Sequence, residues 1–185
     1  MKIRELTFVA CMGALGNLLF FLSQTVFNLG QITLDLSHIA TYVSALYGGP
    51  YLGLLTGLIV GLGPGFYFGY IGGKLGFAGV IFLPLGKCLT GLTAGYLSKR
   101  FNLPSSRLNT SLIVMVSYVP ECLFTIAFFK VLLQLFLPSS LWYLSAFLIP
   151  IMVKAWGEIF IIAFLMTLMV NSKGFSDFVK RFISA

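Results

Sequence analysis

The chain has 185 residues, of which 58% are hydrophobic and 9% charged. Soluble domains carry about 25% charged residues, so there is too little polar surface to cover a water-soluble globule. Apolar runs recur from end to end and point to an integral membrane protein, one domain over residues 1–185. The net charge of +7 does not point to nucleic acid. Eight of the twelve Lys and Arg flank apolar runs in three patches: Lys2 and Arg4; Lys99, Arg100 and Arg107; Lys173, Lys180 and Arg181. That is the placement expected of cytoplasmic segments, and no aromatic residues interleave with base-reading side chains.

In chain order, the first segment runs from about Leu6 to Phe27. Its basic start resembles a signal peptide, but the run is long and no small-residue cleavage site follows a short core, so it is read as a membrane helix. A short second segment, about Ser37 to Tyr47, ends at Gly48-Gly49-Pro50. At 1.5 Å per residue it cannot cross ~30 Å of hydrocarbon, so it must be tilted or shielded by neighbours. The third segment runs from about Tyr51 to Phe68 and the fourth from about Gly76 to Ser98. Between Gly61 and Gly79 lie eight glycines, which read either as close helix packing or as a lid-like connection. The fifth segment runs from about Thr110 to Leu137 and the sixth from about Tyr143 to Val170. The expected fold is therefore an all-α, six-helix membrane bundle. Both termini are expected in the cytoplasm, because the opposite loops carry only Lys74 and His38, with Asp35 against them. Trp142 and Tyr143 then fall at the outer interface.

Five ionisable residues interrupt these segments: Lys87, Glu121, Lys130, Lys154 and Glu158. A charge at a helix centre costs roughly 2.5–3.5 kcal/mol on insertion scales, so such residues turn inward and find partners. Lys130 is nine residues beyond Glu121, on the opposite face, and reads as a snorkelling lysine. The other four lie at similar depth, and Lys154 and Glu158 share a helix face at i,i+4. Ser117 and Thr125 extend the Glu121 stripe at i−4 and i+4. The fourth, fifth and sixth segments thus point two lysines and two glutamates toward one centre. This is either a structural ion network or a polar ligand site, in which Lys87 and Lys154 would contact the ligand.

Other chemistries lack their parts. Gly72-Gly73-Lys74 is not a phosphate-binding loop, since Leu75 follows the lysine and Phe68 stands where the first glycine belongs. His38 is the only histidine, which leaves no His-based metal site or Ser-His triad. Cys11, Cys88 and Cys122 form no CxxC pair and read as small core residues. No enzymatic activity, cofactor or metal is expected, and any ATP hydrolysis belongs to another chain.

Three stretches resemble a known family: "ACMGA" (Ala10–Ala14), its AxxxA pattern on the first helix; "LDLSHIATYVSALYGGPYLGLLTGLI" (Leu34–Ile59), its "LDFSDIP…GPxxG" region; and "LIPIMVKAWGEI" (Leu148–Ile159), its P-x-x-x-K sixth helix. With six segments over nearly the whole chain, the sequence is similar to the substrate-binding S component of an energy-coupling factor (ECF) transporter, nearest to the riboflavin-type members. The resemblance implies capture of a vitamin or related micronutrient from outside, and docking on a membrane T component driven by two ATPase subunits. It implies a ligand under the loops that follow the first and third helices, among the fourth, fifth and sixth. Asp35, His38, Lys87, Glu121, Lys154 and Glu158 fall there, with Tyr70 and Trp142 (and Tyr67) available to stack on a flat ring. The Asn28–Asp35 loop and the Gly61–Gly79 connection would gate it. His38 stands where riboflavin-type members often have aspartate, and Ile151-Met152-Val153 replaces their asparagine, which argues against riboflavin itself. Ala10, Gly13, Ala14 and Asn17 form a small-residue stripe expected to receive the T component. The competing reading is a stand-alone secondary transporter or channel coupled through the intramembrane glutamates, for which 185 residues without an inverted repeat is small.

Overall fold

The spacing of glycines decides how the helices pack. In the computed structural model, which describes residues 2–26, 34–71, 75–101 and 107–184, helices account for all the regular structure described. They are α1 (Ile3–Val26), α2 (His38–Gly48), α3 (Pro50–Phe66, continued by a π turn Tyr67–Ile71), α4 (Gly76–Arg100), α5 (Arg107–Ser117) and α6 (Val119–Ala127). A π turn, Phe128–Leu132, leads into α7 (Leu133–Phe136). A 3-10 stretch, Ser139–Phe147, leads into α8 (Leu148–Asn171), and α9 (Lys173–Ser184) ends the described chain.

Gly53, Gly57, Gly61, Gly65 and Gly69 recur every four residues and line one face of α3 and its π turn. Each meets α4 almost backbone to backbone. A methyl group added at Gly53 would strike the Gly91 carbonyl, at Gly57 the Lys87 carbonyl (2.5 Å), and at Gly61 the backbone of Pro84. At Gly65 and Gly69 it would press on the carbonyls of Gly79 and Gly76. Close approach of this kind is what small residues permit where lipid supplies no hydrophobic drive. The glycine-rich connection is thus a packing seam over its described part. Residues 72–74, with Lys74, lie outside the described residues, as do 27–33, which hold most of the expected Asn28–Asp35 gate.

The short helix α2 has 11 residues, about 16 Å of rise. It is shielded rather than lipid-exposed: His38 and Ala40 through Leu46 are all buried. It ends at Gly49, whose φ of 85° requires glycine, and the Gly49 N–H donates to the Ala45 carbonyl at 3.0 Å. Pro50 then opens α3 at a position where its missing N–H is harmless.

Five helical stretches are long and apolar enough to cross a membrane: Ile3–Val26, Pro50–Ile71, Gly76–Arg100, Asn109–Phe136 and Trp142–Asn171. Their outer faces expose Leu18, Phe21, Phe66, Ile81, Leu92, Leu123, Phe160 and Phe164, while Lys87, Glu121, Glu158 and several Ser and Thr are buried. That inversion is what a bilayer demands of its solutes. The fourth of these stretches is interrupted. Tyr118 separates α5 from α6, because Pro120 cannot donate to the preceding turn, where the sequence reads as one continuous helix. Helix α9 lies beyond the expected end of the last segment.

The α3–α4 seam predicts a sharp contrast between two glycines. Gly57→Ala should lower stability by about 1–3 kcal/mol or prevent folding, since backbone on the facing helix cannot yield. Gly157→Ala, with nothing within 4 Å of the added methyl, should be neutral or mildly stabilising. Thermal unfolding in detergent distinguishes them, and equal effects would refute the seam.

Candidate functional site

Two apolar clusters fill the bundle. One gathers Phe8, Tyr42, Val114, Tyr118, Ile159 and Met166 from α1, α2, α5 and α8, with Tyr118 just after α5; the other gathers Ala78, Phe128, Phe129 and Leu133 from α4, the π turn and α7. Between them lies a cavity of about 360 Å³ that draws lining residues from both. Its volume is at the lower end of the range of small-molecule sites, ~300–1,000 Å³.

One side of the cavity is charged. Asp35, His38, Lys87, Glu121, Lys154 and Glu158 all line it, so six residues spread over 124 positions of sequence meet at one place. Lys87, 4% exposed, donates to the Asp35 carboxylate at 2.9 Å and to the Ser37 hydroxyl. The Glu158 carboxylate accepts the Asp35 backbone N–H at 2.6 Å and lies 3.4 Å from the Lys154 ammonium. Glu121 accepts a hydrogen bond from the Thr90 hydroxyl and lies 3.6 Å from His38 Nε2. The short stretch before α2 is therefore held by α4 through Lys87 and by α8 through Glu158. Burial alone would raise the Asp35 carboxyl, but the Lys87 ammonium, His38 and hydrogen bonds from Ser37 outweigh it and hold it well below the usual carboxylate range.

Much of the remaining lining is aromatic and apolar: Phe68, Phe82, Phe124, Phe128 and Phe129, with Leu75, Ile151 and Met152. Phe82 packs on Phe128 with ring centroids 5.0 Å apart and on Phe124 at 6.1 Å, a wall suited to a flat apolar group. The cavity is thus two-sided in chemistry, with a charged cluster gathered around the start of α2 and phenylalanines supplied by α4, α6 and the two π turns.

The sequence-expected residues divide. Lys87, Glu121, Lys154, Glu158, Asp35 and His38 converge on the cavity, and Thr125 lines it too. Tyr70 and Trp142 do not line it. Tyr70 is 60% exposed on the π turn after α3, and Trp142 is 45% exposed in the 3-10 stretch, its indole N–H directed at the Leu137 carbonyl. Tyr67 packs edge-on against Phe20 and Phe68 instead. Lys130 lies exposed on its π turn. The residues that sequence reasoning passes over are Ser37, Thr90, Tyr118 and the phenylalanines. Thr90 sits three positions after Lys87, and Phe124 three after Glu121, so helical spacing from the buried charges is the signal that finds them.

The small-residue stripe of α1 also divides. Gly13 is pressed against Ile59 of α3. The Asn17 amide donates to the Ile59 carbonyl and accepts from the Gly63 N–H, both at 2.8 Å; a regular helix would pair those two groups with each other. Gly13 and Asn17 are therefore committed inside the chain, while Ala10 and Ala14 remain on the exposed face.

In comparison with known proteins, no family model matches the chain, and neither a curated protein nor a solved structure matches it.

The Lys87–Asp35 pair predicts strong coupling. Lys87→Met alone leaves a buried carboxylate without its counter-ion and should lower stability by about 3–5 kcal/mol. Adding Asp35→Asn should restore a large part of that loss. A double-mutant cycle read by thermal unfolding measures it; additive effects would show that the two groups do not depend on each other.

Proposed function

We propose that this chain is a membrane-embedded substrate-binding subunit, the S component of an ECF-type importer for a vitamin or related micronutrient. The observation that carries the reading is the two-sided cavity buried among helices with an apolar exterior. Its six ionisable residues are far more than helix locking requires, and its volume matches a small molecule with a flat ring and a polar head. The ring would stack between Phe82, Phe124 and Phe128, and the head would meet Lys154, Glu158 and Glu121. Lys87 would act chiefly by holding Asp35 and Ser37 in place, because its ammonium is already engaged by both.

In this reading α2 is the short second segment, which completes a bundle of six, and both termini face the cytoplasm, where the basic patches lie. The resemblance of Ala10–Ala14, Leu34–Ile59 and Leu148–Ile159 to the family supports the assignment. Docking on a T component with its two ATPases would use the outer face of α1, centred on Ala10 and Ala14, the two stripe residues not occupied within the chain. The alternative is proton-coupled transport by the chain alone, with Glu121 and Glu158 as carriers, since both line the same cavity.

Vesicle uptake of a panel of labelled water-soluble vitamins separates the two. The proposal expects no accumulation by this chain alone under a proton gradient, and ATP-dependent accumulation of one vitamin once a T component and ATPases are present. The double substitution Ala10→Trp/Ala14→Trp should abolish that uptake while leaving the vitamin bound to the isolated chain. Proton-driven accumulation by the chain alone would establish the alternative.

A further inference from the structure

Helix α9 is amphipathic, and only half of its apolar face is used inside the chain. Val179 and Ser176 are buried, the Ser176 hydroxyl donates to the Val170 carbonyl at 2.9 Å, and Tyr47 bonds the same hydroxyl at 2.7 Å. The other half carries Phe178, 64% exposed, and Phe182, 42% exposed. Phe182 packs on Phe8 of α1 with centroids 5.8 Å apart. This leaves an open cleft of about 470 Å³ between α1 and α9, lined by Arg4, Thr7, Phe178, Arg181 and Phe182.

The cleft joins two guanidinium groups to two aromatic rings, and no carboxylate lines it. None of the ion pairs among the described residues includes Arg4 or Arg181. The nearest acids in sequence form no ion pair with them among the described residues: Glu5 accepts the Lys2 backbone N–H, and Asp177, one turn before Arg181, is in none of the ion pairs. Arg4 stands in the first turn of a helix long enough to cross a membrane, so the cleft lies at the boundary between hydrocarbon and water. An amphipathic helix with basic residues bordering exposed phenylalanines is suited to that boundary.

We propose that this cleft binds the headgroup of an anionic phospholipid. The forked donors of Arg4 and Arg181 take the phosphate oxygens, and Phe178 and Phe182 pack against the glycerol and the first acyl carbons. Lys2, one residue before α1, and Lys173 and Lys180 of α9 add to the positive field, which favours a lipid of net negative charge over one whose phosphate is balanced by choline. The site is separate from the central cavity and does not depend on what that cavity carries.

Native mass spectrometry of the full chain in detergent, offered phosphatidylglycerol and phosphatidylcholine at equal concentration, tests it. The wild type should retain phosphatidylglycerol at least about fivefold in preference. Arg4→Gln and Arg181→Gln should each reduce the preference and together remove it, while Lys130→Gln, at an exposed lysine that does not line the cleft, should keep it. Equal retention of the two lipids by the wild type, or an undiminished preference in the double variant, would overturn the proposal. So would equal loss in Lys130→Gln, which would trace the effect to overall charge, or displacement of the lipid by millimolar inorganic phosphate, which would make this a soluble-anion site.

Discussion

The contact on which the architecture turns is the one between the backbones of α3 and α4. Five glycines at four-residue spacing let the two helices meet without intervening side chains. The Lys87 carbonyl is pressed against Gly57, so the position of that lysine is set by main chain. With its backbone fixed, the side chain reaches Asp35 and Ser37, and through them the start of α2 is held beside α4. A bulkier residue in the seam would move Lys87 and, with it, the whole polar side of the cavity.

The charges are arranged so that a buried ion is never left alone. Lys87 answers Asp35, Lys154 answers Glu158, and Glu121 takes a hydroxyl from Thr90 with His38 nearby. Three carboxyl groups face two lysines, so one of them, Glu121, has no lysine of its own. A structural lock made of ion pairs would gain nothing from the surplus, because buried ions are weak stabilisers even when paired. A cluster that must also receive a polar ligand gains a place for it, and this asymmetry favours binding over simple bracing.

Much of the polar side was legible in the sequence because charge contrasts with an apolar background. Lys154 and Glu158 advertise their pairing by spacing alone, and the shared depth of Lys87 and Glu121 brought them to the same level. The aromatic wall was not legible: every segment is apolar all round, so periodicity cannot tell Phe82 or Phe124, which face the cavity, from Phe160 or Phe164, which face outward. Tyr70 and Trp142 suit ring stacking by chemistry alone, with no register to orient them, and they lie outside the cavity lining. The break at Tyr118 was announced by Pro120, yet hydropathy runs through it unchanged. Helix α9 was hidden for the opposite reason. Its Lys and Arg lower the mean hydropathy, so it reads as a charged tail until the positions of Phe175, Phe178, Val179 and Phe182 are placed on one arc.

The cavity that draws on both apolar clusters is proposed to hold a small molecule. Native mass spectrometry of the chain gently purified from its own cells measures this directly. A bound species of vitamin size is expected on the wild type, absent from a Thr125→Trp variant whose indole fills the cavity while the protein keeps its fold. A chain that carries no small molecule in either form, even after incubation with extracts rich in water-soluble vitamins, would contradict it and leave the charged cluster as a brace between helices.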